Sequence, residues 1–264
     1  MLIKVIIAAA ILGVIGLVLG AALSFASKVF YVKEDERIAQ IIECLPGANC
    51  GGCGFAGCAN YADAIVNNGE PINRCPGCKQ SELDKISQIV GAEAVAAEPK
   101  VAHVRCSGGN LYANKKYEYY GMSDCAAASR LLDGFMECKY GCLGFGTCAA
   151  VCPQHAISVI DGVAVVDKTL CNGCGVCAKS CPKHVIDIIP RDTKVTVSCV
   201  SHDKGALTRK NCQSGCLGCK ICEKTCEHGA IKVVDNVAVI DFSLCTGCGD
   251  CAQKCPKKII KHTV

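Results

Sequence analysis

Cys245, Cys248, Cys251 and Cys255 are spaced C-x2-C-x2-C-x3-C and followed by Pro256. Cys171, Cys174, Cys177 and Cys181 repeat the run with Pro182, and Cys216, Cys219, Cys222 and Cys226 keep its spacing without the proline. Thiolates crowded in this way suit the corners of a 4Fe-4S cluster, each iron of which takes one sulfur from the protein. A fourth run, Gly141 to Pro153, supplies Cys142, Cys148 and Cys152 but carries Phe145 where the middle cysteine belongs. A phenyl ring cannot bind iron. The site is therefore empty, holds a three-iron cluster, or takes a thiolate from elsewhere.

Composition favours clusters as the organising element. The chain has 264 residues and 26 cysteines, against 7 tyrosines, 6 phenylalanines and no tryptophan. So few large side chains cannot build a sizeable core. Disulfide scaffolds pair distant loops, whereas these cysteines sit three and four residues apart.

A further set lies in "LPGANCGGCGFAGCANYADAI", where Cys50, Cys53 and Cys58 precede Cys75 and Pro76. The spacing C-x2-C-x4-C-x16-C closes four thiolates on one cluster. Zinc ribbons favour two separated C-x2-C knuckles instead. Residues 59–67 read as a short helix stopped by Asn68-Gly69.

The carboxyl half is an internal repeat. Cys138, Cys142, Cys148, Cys152, Cys171, Cys174, Cys177 and Cys181 recur 74 residues later as Cys212, Cys216, Cys222, Cys226, Cys245, Cys248, Cys251 and Cys255. Each copy reads as a cysteine run, a short hairpin ("AISVIDGVAVV", "AIKVVDNVAVI") and a second cysteine run. In that two-cluster layout the last cysteine of each run crosses to the other cluster. Cys216, Cys219, Cys222 and Cys255 then form one quartet, Cys226, Cys245, Cys248 and Cys251 a second, and Cys152, Cys171, Cys174 and Cys177 a third. Cys142, Cys148 and Cys181 remain one short, and Cys138, four residues upstream, is the expected substitute. Five 4Fe-4S clusters use twenty cysteines. Cys44, Cys78, Cys106, Cys125, Cys199 and Cys212 are left over, which leaves room for a sixth cluster using Cys106 and Cys125. Cys106 and Cys199 also occupy similar strand-like contexts, "HVRC" and "TVSC", as packed thiols would.

Other chemistry is not signalled. There is no C-x2-C-H for haem attachment, no strand-G-x-G-x-x-G-helix for a dinucleotide and no phosphate loop. His103, His155, His184, His202, His228 and His262 are scattered off the cysteine spacings. Tyr112, Tyr117, Tyr119 and Tyr120 read as packing residues.

These sites must be carried by small elements. Val5 to Ser27 contains no charged residue, and 23 residues at ~1.5 Å each can cross a ~30 Å hydrocarbon layer. A cleaved signal peptide is the alternative. Lys28, Lys33 and Arg37 after the run, against Lys4 before it, place the remainder on the cytoplasmic side of the inner membrane as a single-pass protein. The expected fold class is α+β: one N-terminal transmembrane helix (1–27), a small helical 4Fe-4S domain (28–91), a linker or insert (92–135), then two tandem dicluster bacterial-type ferredoxin modules (136–190 and 191–264).

A membrane helix, an "LPGANCGGCGFAGC" domain and tandem ferredoxin modules resemble the B subunits of Rnf ion-translocating electron transport complexes over nearly the whole chain. The resemblance implies an electron-transfer subunit of a ferredoxin:NAD+ oxidoreductase with no complete active site of its own. It implies receipt of electrons from soluble ferredoxin, relay toward membrane flavin subunits and NAD+, and coupling to Na+ or H+ transport. The implied partners are other membrane and peripheral subunits, ferredoxin and membrane lipid, with no nucleic acid. The second ferredoxin module and the Val101–Phe135 insert depart from the simplest members. A membrane-tethered polyferredoxin serving another reductase, or an iron-sulfur sensor or scaffold, are the other classes. The formal charge is +4, but five clusters contribute roughly −10 by ligand counting. An acidic partner therefore needs grouped lysines, and Lys204, Arg209, Lys210, Lys257, Lys258 and Lys261 make the last module the most basic candidate.

Overall fold

A computed structural model describes residues 2–29, 35–92 and 98–263, and within the first helix the side chains of residues 13–26. Helix α1 (Leu2–Val29) contains the uncharged run, with Lys4 and Lys28 at its ends. Along it Val14, Leu17, Leu23 and Phe25 are 60% to 76% exposed. Among the described residues no helix is long and apolar enough to cross a membrane. The side chains of Lys4, Lys28 and Lys33 lie outside the described set, as does the Ala/Glu-rich stretch 93–97.

Helices α2 (Glu36–Cys44), α3 (Cys58–Asn68) and α4 (Gln80–Val90) form the first cysteine domain. Their apolar faces meet at Ile41, Tyr61, Ile65 and Ile86, with Ile72 of the turn between α3 and α4. Helix α3 stops at Gly69, where φ is +66°, because a left-handed C-terminal residue suits glycine.

Two modules of one design follow. The first runs β1 (Lys100–Val104), α5 (Gly109–Tyr112), α6 (Cys125–Ser129), α7 (Thr147–Ala150), β2 (Ile157–Ile160), β3 (Val163–Val166), α8 (Val176–Ser180) and β4 (Ile186–Pro190). The second runs β5 (Val195–Val197), α9 (Gly205–Asn211), α10 (Ile221–Thr225), β6 (Ile231–Val234), β7 (Val237–Ile240), α11 (Asp250–Lys254) and β8 (Ile260–His262). In each, the first and last strands pair antiparallel: Val101 faces Ile189 and Val104 faces Ile186, while Val197 faces Ile260. The first module therefore starts at Lys100, within the segment expected to be linker. Val101 and Val104 are buried, and leaving that strand unpaired would expose both.

The inner hairpins β2–β3 and β6–β7 turn at Asp161-Gly162 and Asp235-Asn236. Both residues of each pair have positive φ (49° and 74°; 45° and 67°), as the tight hairpin turn compatible with strand twist requires. The cores are small and mixed: Val101, Ile157, Val163, Val185 and Ile189 pack with Cys148, Cys171 and Cys177 in the first module. Val195, Ile231, Val237 and Ile259 pack with Cys216, Cys222 and Cys251 in the second. Phe242 touches both cores.

Helices α7, α8, α10 and α11 each begin after a left-handed residue, Gly146, Gly175, Lys220 and Gly249, with φ of 75°, 77°, 60° and 85°. Only Lys220 adopts that conformation with a side chain, at about 1–2 kcal/mol. Lys220→Gly should accordingly raise the thermal midpoint of the second module. An unchanged or lowered midpoint would show that the lysine side chain offsets its own backbone strain.

Candidate metal centres

The first quartet is held by loops tied to α3. The Asn49 side-chain oxygen accepts from the Cys58 N–H at 2.8 Å, fixing the start of the helix that carries Cys58. The Tyr61 hydroxyl donates to the Pro71 carbonyl at 2.6 Å and accepts from the Arg74 N–H at 3.1 Å. This places Cys75 against the other three. Burial pushes the Cys75 thiol up to about 11, and Cys53, Cys50 and Cys58 push it the same way. Cys78 lies nearby with its sulfur 4.0 Å from the Cys44 carbonyl. Cys44 and Cys78 thus remain beside the quartet.

The repeat places its crossing cysteines together. Cys216, Cys219, Cys222 and Cys255 surround one recess of ≈ 350 Å³. Cys152, Cys171, Cys174 and Cys177 surround another of ≈ 300 Å³. Backbone N–H groups of Ala102 and Gly173 reach the Cys171 sulfur at 3.4 Å, and that of Ala156 reaches Cys152 at 3.4 Å. Cys251 is pushed up to about 11 by burial, with Cys226, Cys245 and Cys248 adding to it.

The recess around Cys142, Cys148 and Cys181, ≈ 370 Å³, has Cys125 as its fourth cysteine. Cys138 does not line it, contrary to the expectation from sequence. Phe145 supplies the reason. Its ring packs against Tyr119 and Phe135 at centroid distances of 5.5 and 5.4 Å, anchoring the insert over the position of the missing cysteine. The same insert brings in Cys125 at the start of α6. The Cys125 N–H donates to the Thr147 hydroxyl at 2.9 Å, and that hydroxyl donates to Asp124 at 2.9 Å. Asp124 in turn accepts from the Ala127 N–H at 2.8 Å. The helix carrying Cys125 is thereby fastened to the helix carrying Cys148. Cys138 instead lines a separate recess with Cys106, Cys199 and Cys212.

The donor sets fit iron-sulfur chemistry. The recesses are lined mainly by sulfur, methyl groups and backbone. Among the described residues no group of three or more His, Cys, Asp or Glu side chains is gathered tightly enough for a single metal ion. A cluster needs its four thiolates further apart, one per iron. Cys125 was invisible to spacing rules because it lies 17 residues before Cys142. The legible signal was an aromatic in a cysteine position beside an aromatic-rich insert that contains an unassigned cysteine.

The first domain also touches the first module. The Lys179 ammonium donates to the Gly51 carbonyl at 3.4 Å. A Cβ on Gly52 would lie 2.7 Å from the Cys174 carbonyl oxygen and 3.4 Å from the Cys50 sulfur. The loops of two quartets are thus in contact through a residue without a side chain.

Comparison with known proteins agrees with this geometry. The FeS family, described as an Fe-S cluster, matches residues 45–76. The 4Fe-4S binding domain family matches residues 164–187 and the 4Fe-4S dicluster domain family residues 215–259. The B subunit of the ion-translocating oxidoreductase complex of Methanosarcina acetivorans is 44% identical over 96% of each chain. The B subunit of the proton-translocating ferredoxin:NAD(+) oxidoreductase complex of Clostridium ljungdahlii is 45% identical over 96% of this chain and 91% of its own. The Na(+)-translocating counterpart of Acetobacterium woodii is 42% identical, covering 100% and 80%.

Gly52→Val should force the two quartet loops apart. Amide hydrogen exchange should then rise together in segments 50–54 and 172–176, while segment 216–222 stays unchanged. Exchange confined to 50–54 would mean that the contact does not hold the second loop.

Proposed function

Because the chain belongs to the family of B subunits of ion-translocating oxidoreductase complexes, we propose that it is the membrane-anchored electron relay of such a complex. It would accept electrons from reduced ferredoxin and pass them toward membrane flavin subunits and NAD+, with Na+ or H+ as the coupled ion. The observation that carries this reading is the gathering of cysteine quartets in loops that contact one another from Cys50 through Cys174. A sensor needs one labile site, whereas a relay needs several held at fixed separations.

Five quartets hold clusters: Cys50, Cys53, Cys58 and Cys75; Cys125, Cys142, Cys148 and Cys181; Cys152, Cys171, Cys174 and Cys177; Cys216, Cys219, Cys222 and Cys255; and Cys226, Cys245, Cys248 and Cys251. A 4Fe-4S cluster supplies a one-electron redox site at a potential tuned by hydrogen bonds to sulfur and by water exclusion. The chain's own groups do the rest. The N–H groups on Cys152 and Cys171 stabilise negative charge on those sulfurs. Glycines at the contacts keep the loops close.

Anchoring is supported by the exposed apolar side chains of α1 and by its uncharged sequence. Entry is supported at the second module, where Cys219 and Cys248 are the two exposed cysteines. Lys220 and Lys257 line the recess of Cys219, and Lys258, Lys261, Lys204, Arg209 and Lys210 are exposed on the same module. Those cations suit an acidic ferredoxin.

Reduced ferredoxin mixed with the purified full-length chain should bleach its cluster absorbance, faster at low salt. Replacing Lys257, Lys258 and Lys261 by glutamate should slow that step at least tenfold, the direction expected for lost steering; an unchanged rate and salt dependence would put docking elsewhere. Cys125→Ala should lose about four irons or convert one signal to a three-iron form. Unaltered iron and spectrum would return the fourth position to Cys138.

A further inference from the structure

Four cysteines outside the five quartets converge on one place. Cys106 follows β1, Cys199 follows β5, and Cys138 and Cys212 are repeat equivalents preceding each module's first cysteine run. All four line one recess, as Cys152, Cys171, Cys174 and Cys177 line theirs. Glycines on the wall of the recess lie against three of the four sulfurs. A Cβ on Gly108 would sit 3.4 Å from the Cys212 sulfur and 3.7 Å from that of Cys106, and one on Gly141 would sit 3.6 Å from the Cys138 sulfur.

The hydrogen bonding matches that of the assigned quartets. The Cys142 N–H donates to the Cys106 sulfur at 3.5 Å, and the Cys216 N–H donates to the Cys199 sulfur at 3.3 Å. Cys142 and Cys216 are themselves repeat equivalents, so the recess has approximate two-fold symmetry. Arg105 also lines it, donating to the Cys199 carbonyl at 3.4 Å and pairing with Asp187 at 3.1 Å.

The surrounding backbone belongs to both modules. The Ser214 hydroxyl donates to the Ser107 carbonyl at 2.7 Å, the Gln213 N–H to the Tyr112 carbonyl at 2.7 Å, and the Asn114 N–H to the Asn211 carbonyl at 3.0 Å. Neither module alone supplies more than two of the cysteines.

We infer that Cys106, Cys138, Cys199 and Cys212 form a sixth 4Fe-4S site, shared by the two modules and placed between their clusters. It rests on the assignment of the other quartets as cluster sites. Its position gives it a purpose: it is joined by N–H···S bonds to Cys142 of one module's quartet and to Cys216 of the other's. Electrons entering the second module thereby gain a stepping site into the first. The sixth site uses up every cysteine except Cys44 and Cys78.

The test is iron and acid-labile sulfide content of the anaerobically purified full chain, with the paramagnetic spectrum after reduction. The parent should hold about 24 irons. Cys138→Ala and, separately, Cys199→Ala should each lose about four, or convert one cluster to a three-iron form. Cys138→Ala combined with Cys125→Ala should lose about eight, since the two belong to different sites. Cys44→Ala and Cys78→Ala should change nothing. A parent with about 20 irons that is indifferent to Cys138→Ala and Cys199→Ala overturns the sixth site and leaves the five intact. A double variant that loses no more than Cys125→Ala alone also overturns it, because Cys138 and Cys125 would then share a site. A parent with little iron and sulfide overturns the relay assignment itself. Cys138 is only partly buried, so its variant gives an answer even if Cys199→Ala fails to fold.

Discussion

Gathering four thiols in a small apolar recess is the constraint on which the rest of the structure depends. Burial raises Cys75 and Cys148 to about 11 and Cys177 to about 12, so these groups resist ionising without a cation. Iron reverses that preference, since a thiolate bound to metal no longer needs water to carry its charge. The recesses also explain the composition. The recesses lined by these cysteines leave their lining atoms short of packing partners. Inorganic clusters filling them replace the aromatic side chains that a chain with no tryptophan lacks. The short strands contribute little alone, because pairs of three to five residues are marginal in water.

Phe145 stands where the second copy has Cys219, yet the recess of the first copy still gathers four cysteines. Replacing a ligand by an aromatic ring removes a thiolate and creates an apolar surface at the same point. The insert covers that surface with Tyr119 and Phe135 and carries Cys125 to the recess of Cys142, Cys148 and Cys181. Thr147 and Asp124 then fix its approach. Packing and coordination are therefore coupled in the first module, whereas in the second Cys219 occupies the corresponding position directly.

Much of this was legible in the cysteine spacings. Crossing between runs puts Cys255 with Cys216 and Cys152 with Cys171, and the structure has each pair lining a common recess, because the hairpin between runs forces antiparallel return. The stop at Gly69 and both hairpins followed from turn chemistry. The partner of Cys142 was not legible, since spacing describes local loops and Cys125 arrives through tertiary packing of a segment with no motif. Pairing of β1 with β4 was hidden for a similar reason. Five apolar-rich residues read as linker until their opposite strand, 82 residues beyond Val104 at Ile186, is known. Cys106 and Cys199 stand in similar strand-like contexts in the sequence, but their meeting, and the separation of Cys106 from Cys125, depends on how two modules face each other.

The pairing of β1 with β4 gives the chain a temporal order as it leaves the ribosome. The first cysteine domain is complete once α4, ending at Val90, has emerged and can acquire its cluster while the rest is still being made. The first module cannot close until Pro190 is out, so Lys100 to Val104 waits with Val101 and Val104 unburied for the synthesis of most of that module. At ~5–20 residues per second, that interval lasts on the order of 5 to 20 seconds. During it Cys106, Cys125 and Cys138 are open to oxidation or to capture by the wrong run. The two-strand closure thus makes vectorial synthesis, and the supply of iron and sulfide at that moment, part of what decides whether the correct cysteines are joined.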